Sequence, residues 1–169
     1  NAIEGPHAFS AFTASVLQLR PESVGHLKLV SANADDHPEI HPNYLATETD
    51  QNTIVKGIQI ARMIAQFEPL KAHVTEEYQP GHEVGMDDYD ATLNWARNTA
   101  VTIYHPTGTC KMGSDPMAVV DHRLRVHGLQ GLRVADASIM PVITSGNTNA
   151  PSIMIGEKVS DMILEDAVL

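Results

Sequence analysis

Three blocks decide how this chain reads: IYHPTGTCKMG over residues 103–113, GLRVADASIMP over residues 131–141 and SGNTNAPSIMI over residues 145–155. In the first, His105 follows the β-branched run of residues 100–104 and is followed by Pro106 and Gly108, so the spacing predicts an imidazole held at the end of a strand where the chain turns sharply. A histidine so placed serves as a general base, or it bonds to a carbonyl as a partly buried structural residue. In the second, residues 132–135 read as a short strand ending at Asp136 among small neighbours. Small residues beyond the carboxyl end of a strand let backbone approach a ligand's phosphate or sugar, and an aspartate there is equally a helix cap. In the third, Asn147 and Asn149 precede a helix whose free N–H groups and dipole favour an anion or a carbonyl gaining charge. Ordinary N-capping by Asn149 is the alternative.

The helix that the third block opens is the clearest element of the chain. Pro151 suits a first turn, and Ile155, Val159, Met162 and Ile163 recur on one face opposite Glu157, Lys158, Asp161 and Glu165. Working upstream, Asp87 and Asp88 introduce Tyr89, Leu93 and Ala96 at helical spacing, predicting a helix over residues 88–99. Ile54, Ile58, Ala61 and Ala65, with Thr49-Asp50 as cap, predict another over residues 50–66 before Pro69. Residues 78–86 carry Pro80, Gly81 and Gly85 and read as a surface loop. Loose alternation over residues 12–20 and 26–31, with Pro21 and Gly25 between, predicts a β-hairpin. The Pro38 and Pro42 segments that follow read as loop or edge strand.

Composition narrows the function. The chain has 169 residues, enough for a sizeable core, with 21 acidic against 11 basic side chains, which argues against a nucleic-acid partner. A single cysteine, Cys110, excludes an intrachain disulfide framework and fits a reducing compartment. No run approaches the roughly 18 apolar residues of a membrane span, so the expected location is the cytoplasm or the periphery of a membrane. His37 and His41 stand four apart, but the intervening prolines forbid the helix that would bring them together, and no metal site is expected. The Asn1-Ala2 start reads as a processing remnant.

Taken together, the three blocks resemble the C-terminal part of the glucose–methanol–choline family of flavin oxidoreductases, in order and spacing like its choline dehydrogenase and general alcohol dehydrogenase branch. The likeness is specific over residues 100–163 and looser upstream, where SVLQLRPESVGHLKLVSAN and PNYL resemble the family's substrate-domain segment. It implies an α+β fold: an antiparallel substrate-domain sheet with flanking helices over residues 3–104, then a catalytic-histidine loop with the last strand and C-terminal helix of an FAD-binding α/β domain over residues 105–169. It implies FAD-dependent oxidation of a primary alcohol to an aldehyde. His105 would be the base, and Asn147 the second active-site residue. Asp136 and Ala137 would lie near the ribityl and phosphate region of the flavin, and Thr148, Asn149 and Pro151 beside its ring.

Family members hold FAD mainly through an N-terminal G-x-G-x-x-G unit, and no such motif occurs in this sequence. The chain therefore reads as a fragment whose partners are an alcohol substrate and the remainder of the same polypeptide. Alone, it is expected neither to hold FAD nor to turn over alcohol, and to self-associate through an unpaired strand edge. The alternative reading is a non-catalytic ligand-binding or interaction module built on the same scaffold. Choline would require an aromatic cage or a carboxylate for its quaternary ammonium, and no aromatic cluster is evident in the sequence.

Overall fold

The computed structural model describes residues 7–167, so the Asn1-Ala2 start and the first residues of the 3–104 segment lie outside the described residues. The architecture is α+β. In chain order it comprises β1 (His26–Lys28), β2 (Glu39–His41), α1 (Glu48–Ile64), a 3-10 turn at Leu70–His73, α2 (Tyr89–Thr99), a second 3-10 turn at Ala137–Ile139, and α3 (Asn149–Ala167). The described residues group into two compact units: Gln51–Thr99 with the segment ending at Gln18, and Leu19–Asp50 with the residues from Ala100 onward.

The first unit is built on α2 and most of α1. Asp88 caps α2, its Oδ1 accepting the Ala91 N–H at 2.9 Å; the helix buries Leu93 and Ala96 as the spacing predicts, with Thr92 beside them, while Tyr89 is exposed. Val55 is the buried anchor of α1. Gly57 makes room for Val16, whose Cγ1 would stand 2.2 Å from a Cβ at that position. Arg62 fixes the loop after α1, donating to the Glu77 carboxylate at 2.8 Å and to the Val84 carbonyl at 2.9 Å. The 78–86 segment is therefore a loop, as its prolines and glycines indicate, but one tied to the helix by a guanidinium.

The second unit departs from the sequence reading in its strands. No strand forms over residues 12–20, so the expected hairpin with 26–31 is absent. β1 instead pairs antiparallel with β2, His26 opposite His41, Leu27 opposite Ile40 and Lys28 opposite Glu39. Upstream of β1, the buried carboxylate of Asp50 accepts the N–H groups of Glu22 and Ser23 at 2.9 and 2.8 Å. Those bonds tie the segment expected to turn to the start of α1. The cap of α1 also moves: Thr47, rather than Thr49-Asp50, accepts the Asp50 N–H at 3.3 Å.

Two further β readings are corrected. Residues 100–104 form no strand. Tyr104 takes φ +63°, a left-handed conformation that breaks an extended run, and its N–H donates to Thr102 Oγ1 at 3.0 Å. In place of a four-residue strand, residues 132–135 make one antiparallel bridge, Arg125 to Arg133. It is closed by Val126 N–H to Leu132 O at 3.0 Å and Val134 N–H to Leu124 O at 3.2 Å. The other edge of this segment carries no bridge among the described residues.

The core of this unit is Val120, Leu124, Ile139, Met140, Ile155 and Val159. On α3, Ile155 and Val159 are buried and Met162 is half-buried, but Ile163 is 49% exposed, so the inward stripe ends before the last turn. That turn is held by charge instead. Arg123 donates to Asp166 at 2.9 Å, to Glu165 at 3.0 Å and to the Met162 carbonyl at 3.1 Å, and Arg125 and Arg133 also bond to Asp166. The hydrogen bond from Arg125 comes first among the causes that lower the Asp166 pKa to about 2 from the usual 3.8; Arg133 and the charge of Arg123 add to it, against the opposing effect of partial burial. Cations near a helix C-terminus are stabilised by its dipole, which adds to the same anchor.

Candidate active site

All three sequence blocks lie in the second unit, and hydrogen bonds tie them together. The first block joins the second through Cys110 N–H to Ser138 O at 3.0 Å and Met112 N–H to Ile139 O at 2.8 Å. The second joins the third through the core, where Ile139 and Met140 share a cluster with Ile155 and Val159. The first joins the third through side chains: His105 Nδ1 lies 2.9 Å from Thr148 Oγ1, across 43 residues of sequence. His105 is half-buried and Thr148 is buried, so this bond is partly shielded from water.

Thr148 performs two tasks. It stands immediately before α3, and its carbonyl accepts the Ser152 N–H at 3.0 Å and the Ser152 hydroxyl at 2.7 Å. Its own hydroxyl turns to the imidazole instead of capping the helix. If Nδ1 carries the proton, it donates to Thr148 Oγ1 and leaves the Nε2 lone pair free; in the other tautomer the hydroxyl donates to Nδ1 and Nε2 carries the hydrogen. Only the first arrangement leaves Nε2 able to accept a proton.

The other sequence-selected residues fall around this contact with differing environments. Asn147 is exposed and lies one Cα step, about 3.8 Å, from Thr148. Asn149 and Ala150 are exposed at the first turn of α3 and Pro151 is half-buried there. The N–H groups of Asn149 and Ala150 have no acceptor one turn back within the helix, and Pro151 has no N–H to offer. Asp136 spends one carboxylate oxygen on capping the second 3-10 turn, Oδ1 accepting Ser138 N–H at 2.7 Å. Ala137 is half-buried against the core cluster.

Three features escaped the sequence reading. The pairing of His105 with Thr148 is one: Thr148 is named there only for the flavin ring, and a contact across 43 residues leaves no local signal. The arginine cluster on Asp166 is another, although three arginines within eleven residues, 123–133, and an acidic helix end were visible signals. The third is an aromatic cluster in the first unit: His7 stacks on Phe9 at 4.9 Å between centroids, and Tyr78 meets both edge-on at 5.0 and 5.3 Å. That unit also holds a cleft of about 460 Å³ along α1, lined by Ile60, Met63, Phe67 and Met86 among others; none of the candidate site residues lines it. Its lining also includes Lys56 and Asp87, but no histidine or hydroxyl side chain.

Residues 21–156 match the family described as GMC oxidoreductase. The chain belongs to the GMC oxidoreductase family. Among GMC oxidoreductases and related proteins it is 48% identical over 161 residues to the mitochondrial choline dehydrogenase of Mus musculus, covering 94% of this chain and 26% of that protein. It is 46% identical over 153 residues to an alcohol dehydrogenase [acceptor] of Pseudomonas putida, covering 90% of this chain and 27% of that one. Of solved structures, a formate oxidase variant from Aspergillus oryzae superposes with a TM-score of 0.80 at 32% identity, over 88% of this chain and 26% of that chain. Pyridoxine 4-oxidase from Mesorbium loti gives a TM-score of 0.78 at 32% identity, over 85% and 28%. The chain thus spans about a quarter of the length of these relatives. Among the described residues, no helix is long and apolar enough to cross a membrane.

Proposed function

We propose that this chain supplies the proton-handling face of an FAD-dependent oxidoreductase that converts a primary alcohol, choline or a general alcohol, to the aldehyde. The observation that carries the proposal is the 2.9 Å contact between His105 Nδ1 and Thr148 Oγ1, which brings the histidine loop to the residue beside Asn147. The likeness to choline and alcohol dehydrogenases supports the substrate class.

The residues present fit a flavin. A first turn with open N–H groups at Asn149 and Ala150, at the positive end of a 19-residue helix and next to a half-buried imidazole, suits a group that gains negative charge at a ring carbonyl. Thr148, Asn149 and Pro151 would border its ring, and Asp136 and Ala137 its ribityl and phosphate region, with most of the dinucleotide held by an N-terminal G-x-G-x-x-G part of the polypeptide. Bound FAD would supply the hydride acceptor.

The chain's own residues then handle the proton. With Thr148 Oγ1 accepting from Nδ1–H, the ring is held in place and Nε2 is the basic nitrogen. Nε2 takes the hydroxyl proton of the alcohol as the carbinol C–H bond breaks, because a carbonyl forms only as the O–H proton leaves. The Asn147 carboxamide donates to the same oxygen and orients it. Proton to His105 and hydride to the acceptor together balance the two-electron oxidation. In the full-length holoenzyme, His105→Ala is expected to slow anaerobic flavin reduction by about two to four orders of magnitude, with flavin still bound. An unchanged rate would exclude His105 as the base.

A further inference from the structure

The loop that carries Asn147 has little to hold it by packing. Thr144, Ser145 and Asn147 are exposed, and Gly146 takes φ +148°, with no atom within 4 Å of where a Cβ would stand. Two side-chain hydrogen bonds from distant sequence span it instead. Thr148 is held by His105 at 2.9 Å, and Ser145 Oγ accepts from Arg20 Nε at 2.7 Å across 125 residues. Asn147 lies between these two points, two Cα steps from one and one from the other.

We infer that Arg20 is a positioning residue: by clamping Ser145 it fixes where Asn147 presents its carboxamide. This inference rests on the proposed role of Asn147. A short loop with a glycine in the left-handed half of backbone space samples many conformers, and tying both ends removes most of them before substrate arrives. Guanidinium suits the task because it stays charged at any working pH, so the clamp neither opens nor closes with pH, and its hydrogen bond to the hydroxyl is charge-assisted. The loop needs both anchors. With only Thr148 fixed, Asn147 pivots about the glycine.

The test is a mutant cycle in the full-length holoenzyme, read as anaerobic flavin reduction per bound flavin under saturating alcohol. Arg20→Met and Ser145→Ala are each expected to lower that limiting rate about tenfold without shifting its pH profile, while Arg20→Lys recovers part of the loss. Because Arg20 acts through Asn147, Arg20→Met should add nothing in an Asn147→Ala background. A merely structural role would instead lower thermal stability or flavin occupancy and leave the rate per bound flavin unchanged, which would overturn the inference. An equal tenfold loss in the Asn147→Ala background would also overturn it. Should Arg20→Met fail to fold, Ser145→Ala tests the clamp from its other end. His105→Ala is run alongside: full activity there overturns the functional reading and this inference with it, whereas its loss with undiminished Arg20→Met and Ser145→Ala rates overturns the clamp alone.

Discussion

Thr148→Val isolates the contact that holds the imidazole of His105 in place. Thr148 is 7% exposed, and valine keeps nearly its shape while removing the hydroxyl that stands 2.9 Å from His105 Nδ1. Two magnitudes bound the effect. The net value of an ordinary hydrogen bond is about 0.5–1.5 kcal/mol, and an unpaired, partly buried N–H costs about 1–3 kcal/mol. His105 is only half-buried, so water repays part of the second cost. The expected loss is therefore about 0.5–2 kcal/mol of transition-state stabilisation, roughly 2- to 30-fold in the hydride-transfer step. The assay is stopped-flow reduction of the bound flavin by excess alcohol under anaerobic conditions, with flavin stoichiometry measured on the same sample. Thr148→Ser retains the hydroxyl and should stay within about threefold of the parent. A Thr148→Val holoenzyme with full flavin occupancy and the parent rate would refute the orienting role of this bond.

Asp166 governs acid stability. Hydrogen bonds from Arg125 and then Arg133, with the charge of Arg123, hold its pKa at about 2, below the usual 3.8, so its contribution is complete above about pH 4 and lost as pH falls through 2. Asp166→Asn should lower the melting temperature at neutral pH and flatten its decline between pH 4 and 2; an unaltered acid limb would contradict this. Gly25→Ala would set a Cβ 2.1 Å from the His41 carbonyl oxygen and 2.7 Å from that of Pro42, both backbone atoms. Forcing the two segments apart should destabilise the β1–β2 ribbon by about 1–3 kcal/mol, seen as faster amide exchange at residues 26–28 and 39–41. Parent-like protection there would refute the close approach.

The helices were legible because their information is local. Asp88 caps and Leu93 and Ala96 recur within α2, and Pro151 with Ile155 and Val159 marks α3; each signal lies within a few turns of chain. The strands were legible only in part: β1 falls inside the expected 26–31 strand and β2 inside a segment read as loop or edge strand, but their pairing with each other left no local signal. Alternation over residues 12–20 resembles a strand, yet none forms there, and the neighbouring Glu22 and Ser23 bond to Asp50, more than twenty residues away. The same holds at the site. His105, Asn147 and Thr148 were individually visible through their motifs, whereas the bonds His105–Thr148 and Arg20–Ser145 cross 43 and 125 residues and leave no periodic trace. Asp136 shows the reverse: the capping role its position allowed is the one its Oδ1 fills toward Ser138.

The most direct measurement of the proton-transfer role is a crystal structure of the full-length holoenzyme with FAD and an unreactive analogue of the alcohol bound. His105 Nε2 and the Asn147 side-chain amide should both lie within about 2.6–3.2 Å of the analogue's hydroxyl oxygen, with Nδ1 still on Thr148 and the reacting carbon facing the flavin ring. An imidazole turned away from that oxygen, with another side chain in its place, would contradict it.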